Sequence, residues 1–201
     1  MVSRLQSTAA TRRSLLDAAR ELLNEGGPQA VTLREVGARA AVSRGAAYRH
    51  FADKESLLAA VGAESWDRIG DELTRLHPTP STSGADLLLS ALNALITVGH
   101  DEPEVFKMMF TIPTADPELS IQAAGRAQNE FLRIVSSVVG DEQAHLYGAM
   151  LLTSAHGIAS MSASGHLSPQ MWQTTPNDVV AGLARLVADT HGTDTPAADA
   201  R

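Results

Sequence analysis

Side chains suited to binding DNA lie close together near the N-terminus of the chain. Arg44 has the forked donors that fit the O6 and N7 acceptors of guanine, and Tyr48 can contact a thymine methyl group or a phosphate. Gly45 and Ala46, which lie between them, are small enough to allow a close approach of the helix backbone. Lys54 follows shortly afterwards and can bind a phosphate. This combination predicts recognition of double-stranded DNA.

The motifs of common enzymes are missing from the sequence. Neighbouring histidines are at least ten positions apart, so no helix carries two of them at metal-binding spacing. The sequence contains no Walker loop, no GxGxxG run, no nucleophile elbow and no cysteine. The acidic pairs Asp101-Glu102 and Asp141-Glu142 lie at predicted helix starts, where the helix dipole accounts for them. We therefore predict no enzymatic activity, no metal site and no cofactor.

The residues that could bind DNA lie on two predicted helices joined by a short turn. Thr32 and Glu35 have the spacing of a capping box, which starts a helix near Leu33. Ser43 is a suitable N-cap for a second helix that runs to about Phe51. Nine residues at 1.5 Å each give about 13 Å, enough to lie in a major groove about 12 Å wide. The sequence thus predicts a helix-turn-helix.

Helical periodicity extends on both sides of this motif. A first helix is predicted from Thr11 to Asn24, and its opening turn carries Arg12 and Arg13, which are either phosphate partners or a solvated pair. A fourth helix is predicted from Lys54 to Leu76. The later helical segments are each bounded by Pro, Gly or Asp: Ala85–Gly99, Pro103–Ile112, Pro117–Val139, Glu142–Ala163 and Pro176–Thr190.

These segments predict an all-α fold of about nine helices, because no stretch shows the alternation of a strand. We expect a three-helix DNA-binding domain over residues 1–55 and a helical domain over 56–190. The last residues, 191–201, have little apolar content and are expected to be disordered.

The charge distribution supports this division. The chain has a net charge of −7, yet residues 1–55 hold nine basic and six acidic side chains, whereas the rest holds seven basic and seventeen acidic ones. A basic domain beside an acidic one is typical of a protein in which one part meets phosphate. The sequence shows neither an apolar signal segment nor an 18-residue apolar run, so we expect a cytoplasmic protein.

The N-terminal residues resemble the TetR/AcrR-type transcriptional regulators over about Thr11 to Val61. The resemblance is carried by Gly-Gly-Pro, Thr-Leu-Arg-Glu-Val-Gly, Val-Ser-Arg-Gly-Ala, Tyr-Arg-His-Phe and Asp-Lys-Glu-Ser-Leu-Leu at fixed spacing. It implies base contacts from Arg34, Arg44, Gly45, Ala46 and Tyr48. It also implies contacts to the DNA backbone from Thr32, Arg49, His50 and Lys54. Two residues depart from the family pattern: Ala47 replaces a larger aliphatic residue, and Arg49 an aromatic one.

The same resemblance implies that the helical body binds a small effector and forms a homodimer through its last two helices. Soft and amphipathic side chains are the effector-site candidates: Trp66, Phe106, Met109, Phe110, Phe131, Met150 and His156. Small and aliphatic side chains are the dimer-interface candidates: Leu152, Ala155, Ala159, Val179, Leu183 and Leu186. Packing inside a single chain is the alternative explanation of both sets. We prefer it for any single effector-site candidate, and we prefer the dimer for the interface candidates because a lone helix-turn-helix makes too few contacts for specific affinity. His156-Gly157 also resembles a C-terminal subtype with a Trp-His-Gly signature, although the Trp is missing.

We therefore predict a ligand-responsive homodimeric repressor that leaves a near-palindromic operator when a small molecule binds. Repression, as opposed to activation, is implied by the family resemblance alone. The alternative is a helical protein-interaction dimer that has lost DNA binding. The basic N-terminal domain argues against it.

Overall fold

The computed structural model describes residues 4–111 and 115–191, apart from the side chains of Arg4, Leu5 and Arg44. Within these ranges the protein contains helices and no strand, which confirms the all-α prediction. The helices are α1 (Arg4–Ala30), α2 (Leu33–Arg39), α3 (Arg44–His50), α4 (Lys54–Arg75), α5 (Gly84–Asp101), α6 (Pro103–Met109), α7 (Pro117–Val139), α8 (Asp141–Ala163), α9 (Pro169–Trp172) and α10 (Pro176–His191).

Most predicted helices have their expected bounds within two residues, but three bounds differ more and α9 was not predicted. Helix α1 begins seven residues before Thr11 and continues, across the break at Gly26 and Gly27, to Ala30 instead of Asn24. Helix α6 ends at Met109, and Phe110 and Thr111 are not helical, so the predicted end at Ile112 was wrong. His191 belongs to α10 and not to the predicted disordered tail, and residues 192–201 lie outside the described residues. None of the described helices combines the length and apolarity that a membrane span requires.

The chain forms two compact units. Unit 1 contains Met1–Arg68 and Asp101–Gly125, and unit 2 contains Ile69–His100 and Arg126–Arg201. The long helices α4, α5 and α7 therefore each contribute residues to both units. A domain boundary at residue 55 stays a prediction.

The core of unit 1 is built from the apolar stripes that the sequence predicts. The α1 side chains Leu15, Leu16 and Leu23 are buried, as are Val36 of α2 and Phe51 after α3. The helical path of α1 is interrupted at Gly26 and Gly27, where Gly27 has a φ of 65° that favours glycine. The chain can therefore change direction between α1 and α2.

An ion-pair cluster joins α1 to α2. Arg39 near the end of α2 donates to Glu25 at 2.8 Å and to Glu21 at 3.1 Å, both on α1. These hydrogen bonds from Arg39 lower the pKa of the Glu25 carboxyl below its ordinary value, and the guanidinium charge acts in the same direction. Arg39 is therefore committed to holding the two helices together.

Unit 2 relies on close approaches between its helices. A Cβ at Gly148 of α8 would lie 2.6 Å from Leu132 Cδ2 of α7, so a larger residue there would require the Leu132 side chain to move. Arg133 of α7 donates to the carbonyls of Leu73 and Leu76 at 3.2 and 3.1 Å, and so satisfies the open C-terminal end of α4. The core includes Leu88 of α5, Ile134 and Leu151.

Replacing Glu25 with Gln should lower the thermal midpoint by about 1–3 °C at pH 7, since an exposed pair contributes little. Because the folded-state pKa of Glu25 is depressed, its stabilisation is complete above the unfolded value of about 4.3 and is lost as the pH falls through the folded value. The difference between wild type and variant should thus shrink below about pH 4 in scanning calorimetry.

Glu72→Gln provides the matched control, because Glu72 is an exposed acid on α4 with no ion pair among the described residues. A Glu25 effect that is equal at pH 3 and pH 7, or that Glu72 reproduces, would contradict this account.

Candidate DNA-binding surface

Helix α2 begins at a partial capping box. The N-cap Thr32 has extended backbone angles, and its hydroxyl oxygen accepts a hydrogen bond from the Glu35 amide at 3.1 Å, as predicted. The second hydrogen bond of the predicted capping box, from the Thr32 amide to the Glu35 carboxylate, is replaced. The Glu35 carboxylate instead accepts from Arg34 at 2.8 and 3.1 Å. Arg34 is exposed and pairs with Glu35 through Nε and Nη2, which leaves its other N–H donors available to a base.

The turn between α2 and α3 depends on small residues. Ala41 adopts a φ of 54°, and the Val42 amide donates to the Gly37 carbonyl at 3.0 Å. A Cβ at Gly37 would lie 3.6 Å from that of Ala47, which is fully buried. Ala47, where the family usually has a larger aliphatic residue, therefore lies where α2 and α3 pack closely.

Ser43 precedes α3 with extended backbone angles, but its hydroxyl caps none of the helix amides. The position of the predicted N-cap is confirmed, whereas the predicted capping bond is absent. The exposed hydroxyl keeps its hydrogen-bonding capacity for an external acceptor such as phosphate.

Helix α3 exposes most, but not all, of the residues assigned to DNA. Tyr48 is 50% exposed, and Gly45 and Arg49 also face outward. His50 is half-buried beside the ring of Phe51. Ala46 is buried beside Ala47, and its assignment to base contact stays a prediction. Arg44 occupies the first position of the helix, and its side chain lies outside the described atoms.

Phe51, which ends α3, is held by a residue of α1. The guanidinium of Arg12 lies over the Phe51 ring, with its central carbon 5.4 Å from the ring centroid. The sequence suggested phosphate or solvent as the partner of Arg12, and its stacking on Phe51 was not foreseen. The neighbouring Arg13 is exposed.

Lys54 is positioned by a capping box and by a backbone carbonyl. Asp53 and Ser56 exchange hydrogen bonds, from the Ser56 amide at 2.7 Å and from the Asp53 amide at 3.2 Å, which places Lys54 in the first turn of α4. Its Nζ donates to the Pro28 carbonyl at 2.5 Å. An ammonium group has three donors, so this bond orients Lys54 and leaves two donors for phosphate.

A second feature that sequence patterns did not reveal is the Arg20 ion cluster, formed by Arg20, Glu64, Arg68 and Glu102 in unit 1. Arg20 of α1 contacts Glu64 of α4 at 2.6 Å and Glu102 at 3.2 Å, and Glu102 also contacts Arg68 at 2.9 Å. Glu102 is the N-cap residue of α6. Three helices are thus tied by charged groups that are far apart in sequence.

Four of the seven effector-site candidates lie together in unit 1. Trp66 donates from Nε1 to the Met109 carbonyl at 3.2 Å, and its ring packs edge-on against Phe110 with centroids 5.4 Å apart. Phe106 packs on Phe110 at 5.1 Å. We call Trp66, Phe106, Met109 and Phe110 the aromatic cluster.

The other three candidates belong to unit 2 and have different environments. Phe131 is buried, His156 is half-buried and Met150 is 51% exposed on α8. Their part in an effector site stays a prediction.

The interface candidates divide by exposure. Leu186 of α10 is exposed, whereas Leu152, Val179 and Leu183 are half-buried. Ala155 and Ala159 are buried in the core of unit 2, because they lie on the inner side of α8. These two alanines are therefore removed from the proposed interface.

The folded helix-turn-helix and its exposed basic and hydroxyl groups define the class of protein as a helix-turn-helix DNA-binding regulator. Residues 15–61 match the family described as bacterial regulatory proteins, tetR family, and residues 88–190 match the tetracyclin repressor-like C-terminal domain. The chain therefore belongs to the TetR family of transcriptional regulators, which agrees with the prediction that it is not an enzyme.

Curated relatives are similar over the N-terminal part. The chain is 39% identical over 80 residues to the HTH-type transcriptional repressor Rv3405c of Mycobacterium tuberculosis, which covers 40% of this chain and 39% of that protein. It is 35% identical over 95 residues to the HTH-type transcriptional regulator BetI of Escherichia coli, which covers 47% of each chain. The matches thus span less than half of each relative.

Solved structures share the fold over nearly the whole chain. A Rhodococcus sp. RHA1 protein of unknown function has a TM-score of 0.75 at 22% identity, covering 90% of this chain and 95% of that one. A tetR-family regulatory protein from Rhodococcus RHA1 has a TM-score of 0.63 at 20% identity, with coverage of 90% and 96%. These similarities support the helical architecture of the C-terminal region.

Replacing Lys54 with Met should weaken binding to all DNA sequences by the same factor. The loss of one phosphate contact should reduce the slope of log K against log salt by about 0.9. Fluorescence anisotropy with specific and unrelated duplexes at several salt concentrations measures both effects.

Lys107→Met is the matched control, because the chain contains only these two lysines and Lys107 pairs with Glu104 on α6. An unchanged salt slope for the Lys54 variant, or an equal change for both variants, would show that Lys54 does not bind phosphate.

Proposed function

We propose that this protein is a homodimeric repressor that binds a near-palindromic operator and releases it when a small molecule binds. The observation that carries the proposal is the exposed outer face of α3, with Tyr48, Gly45 and Arg49 accessible while Ala47 and Phe51 are buried. This short helix is held by the core and presents its outer residues to a partner.

The proposed DNA contacts follow from that face. Arg44 and Tyr48 read bases, Gly45 allows the backbone to approach, and Arg34 joins them through the donors that Glu35 does not occupy. The contacts to the DNA backbone are assigned to the following residues: Thr32, Ser43, Arg49, His50 and Lys54. Repression is supported by the name of the mycobacterial relative, which is a transcriptional repressor. Such a protein works where the chromosome is, in the cytoplasm.

The homodimer is proposed because one helix-turn-helix makes too few contacts for specific affinity. Two recognition helices about 34–36 Å apart would read half-sites one helical turn apart. In unit 2, Val179, Leu183 and Leu186 of α10 have the i, i+4, i+7 spacing of one helix face and retain exposed surface. Two copies of this face form a self-complementary contact around a two-fold axis.

The aromatic cluster is the proposed effector contact in unit 1. A ligand that contacts Trp66 and Phe110 acts on α4 and on the end of α6, and both helices also hold Arg20 of α1 through the Arg20 ion cluster. Displacement of α6 therefore changes the support of the helix that carries Arg12. The ligand can shift the equilibrium only by its different affinity for the two states.

The DNA-binding proposal is tested by Arg44→Ala on a duplex from the region upstream of the coding sequence. Losing one forked base contact should weaken specific binding about 5- to 150-fold, equivalent to about 1–3 kcal/mol, with little effect on unrelated DNA. Gel-shift titrations at two salt concentrations measure both affinities.

Arg75→Ala serves as the control, because Arg75 is an exposed arginine in the last turn of α4. Equal behaviour of the two variants would remove Arg44 from base recognition. A wild-type protein that binds no duplex at low salt would favour the alternative of a helical protein-interaction dimer.

The effector proposal is tested by thermal-shift screening of small apolar and cationic compounds against wild type and Phe110→Ala. A ligand present at 100 times its Kd stabilises the native state by about 2.7 kcal/mol, so the melting temperature should rise by about 5–10 °C. Phe110 is exposed at the edge of the aromatic cluster, so its truncation should remove the shift while largely preserving the fold. A compound that shifts both proteins equally binds elsewhere.

A further inference from the structure

The longest stretch without a charged side chain spans 35 residues, from Gln143 to Asn177. It contains nearly all of α8, the following turn, α9 and the start of α10. The surrounding protein is acidic, with seventeen acidic and seven basic residues after position 55. Because solvent-exposed helices in such a protein ordinarily carry charges, an uncharged surface here needs a reason.

Helix α8 has an exposed uncharged face within this stretch. Leu146 is 58% exposed and Met150 51%, and Met161 is also exposed on the same side of the helix. Gly157 lies between them, and a Cβ there would meet nothing within 4 Å. At 1.5 Å per residue these side chains extend over about 22 Å, so the face presents exposed apolar groups without any charge, which favours an interaction site.

The chain after α8 holds a second set of apolar side chains in place. The Leu167 amide donates to the Met161 carbonyl at 3.0 Å, which folds the turn back onto the end of α8. Trp172 of α9 donates from Nε1 to the His166 carbonyl at 2.8 Å, yet it stays 56% exposed, and Met171 is 62% exposed. We call Met171 and Trp172 the α9 knob.

The hydrogen bond to His166 fixes the Trp172 ring with its indole donor satisfied and much of its surface in water. A partner that covers this ring has neither an unpaired N–H to bury nor a freely rotating side chain to order. Tryptophan is also enriched among the residues that dominate binding energies. These features are those of an interface anchor.

We infer that the α9 knob docks onto a second copy of this chain, with Trp172 as an anchor of the dimer. The inference rests on the proposed homodimer and names a contact beyond the proposed face of α10. A second copy fits better than another partner because two acidic bodies repel each other wherever acidic side chains face one another, and the uncharged surface of α8 and α9 avoids that repulsion. The same patch on both copies satisfies a two-fold axis.

Sedimentation equilibrium of the full chain over a range of concentrations measures the dimer dissociation constant. Trp172→Ala should raise it about 10- to 100-fold, as expected for an anchor residue. Met171→Glu should raise it as well, because it places two like charges at the contact without removing any hydrogen bond within the described chain. Circular dichroism confirms that each variant keeps its helix content.

Ile121→Ala is the matched control, because Ile121 is an exposed apolar residue on α7 in unit 1 and should leave the constant unchanged. Leu186→Glu, on the proposed α10 face, should dissociate the proposed dimer and serves as a positive control. A dimer that resists the Trp172 and Met171 variants but yields to Leu186→Glu overturns the role of the knob and leaves the homodimer intact. A wild-type protein that stays monomeric at all concentrations overturns the homodimer itself.

Discussion

Helix α3 has seven residues, and a helix of that length is unstable by itself in water, so its shape depends on burial. Ala46, Ala47 and Phe51 are all buried, and the close approach of Ala47 to Gly37 sets how tightly α2 and α3 cross. Arg12 covers the Phe51 ring from the side of α1. The buried residues therefore fix which side of α3 faces outward.

Local signals in the sequence were enough to predict this motif. Capping at Thr32 and apolar spacing at Leu33 and Val36 are properties of single helices, which is why α2 appeared with its bounds nearly right. The burial of Ala46 could not be predicted because alanine is equally compatible with a surface and a core, and only the packing against neighbouring elements decides. The four residues of α9 carry too few periodic positions to be recognised from sequence.

Contacts between distant residues could not be read from spacing. Lys54 and Pro28 are 26 residues apart, and Arg20 and Glu64 are 44 apart, so neither pair has a local pattern. The charge division between residues 1–55 and the rest was visible in the sequence. It did not show which basic side chains form ion pairs within the fold. The structure shows that Arg39 and Arg20 stabilise helix packing, whereas Tyr48 and Arg49 remain accessible.

The position of Lys54 also determines how the protein responds to amine chemistry. The chain offers two side-chain amines, Lys54 and Lys107, and the first is held against the Pro28 carbonyl at the edge of the helix-turn-helix. Acylation of Lys54 removes its positive charge and two of its donors, so succinimidyl labelling or amine-coupled immobilisation modifies the edge of the proposed DNA-binding surface.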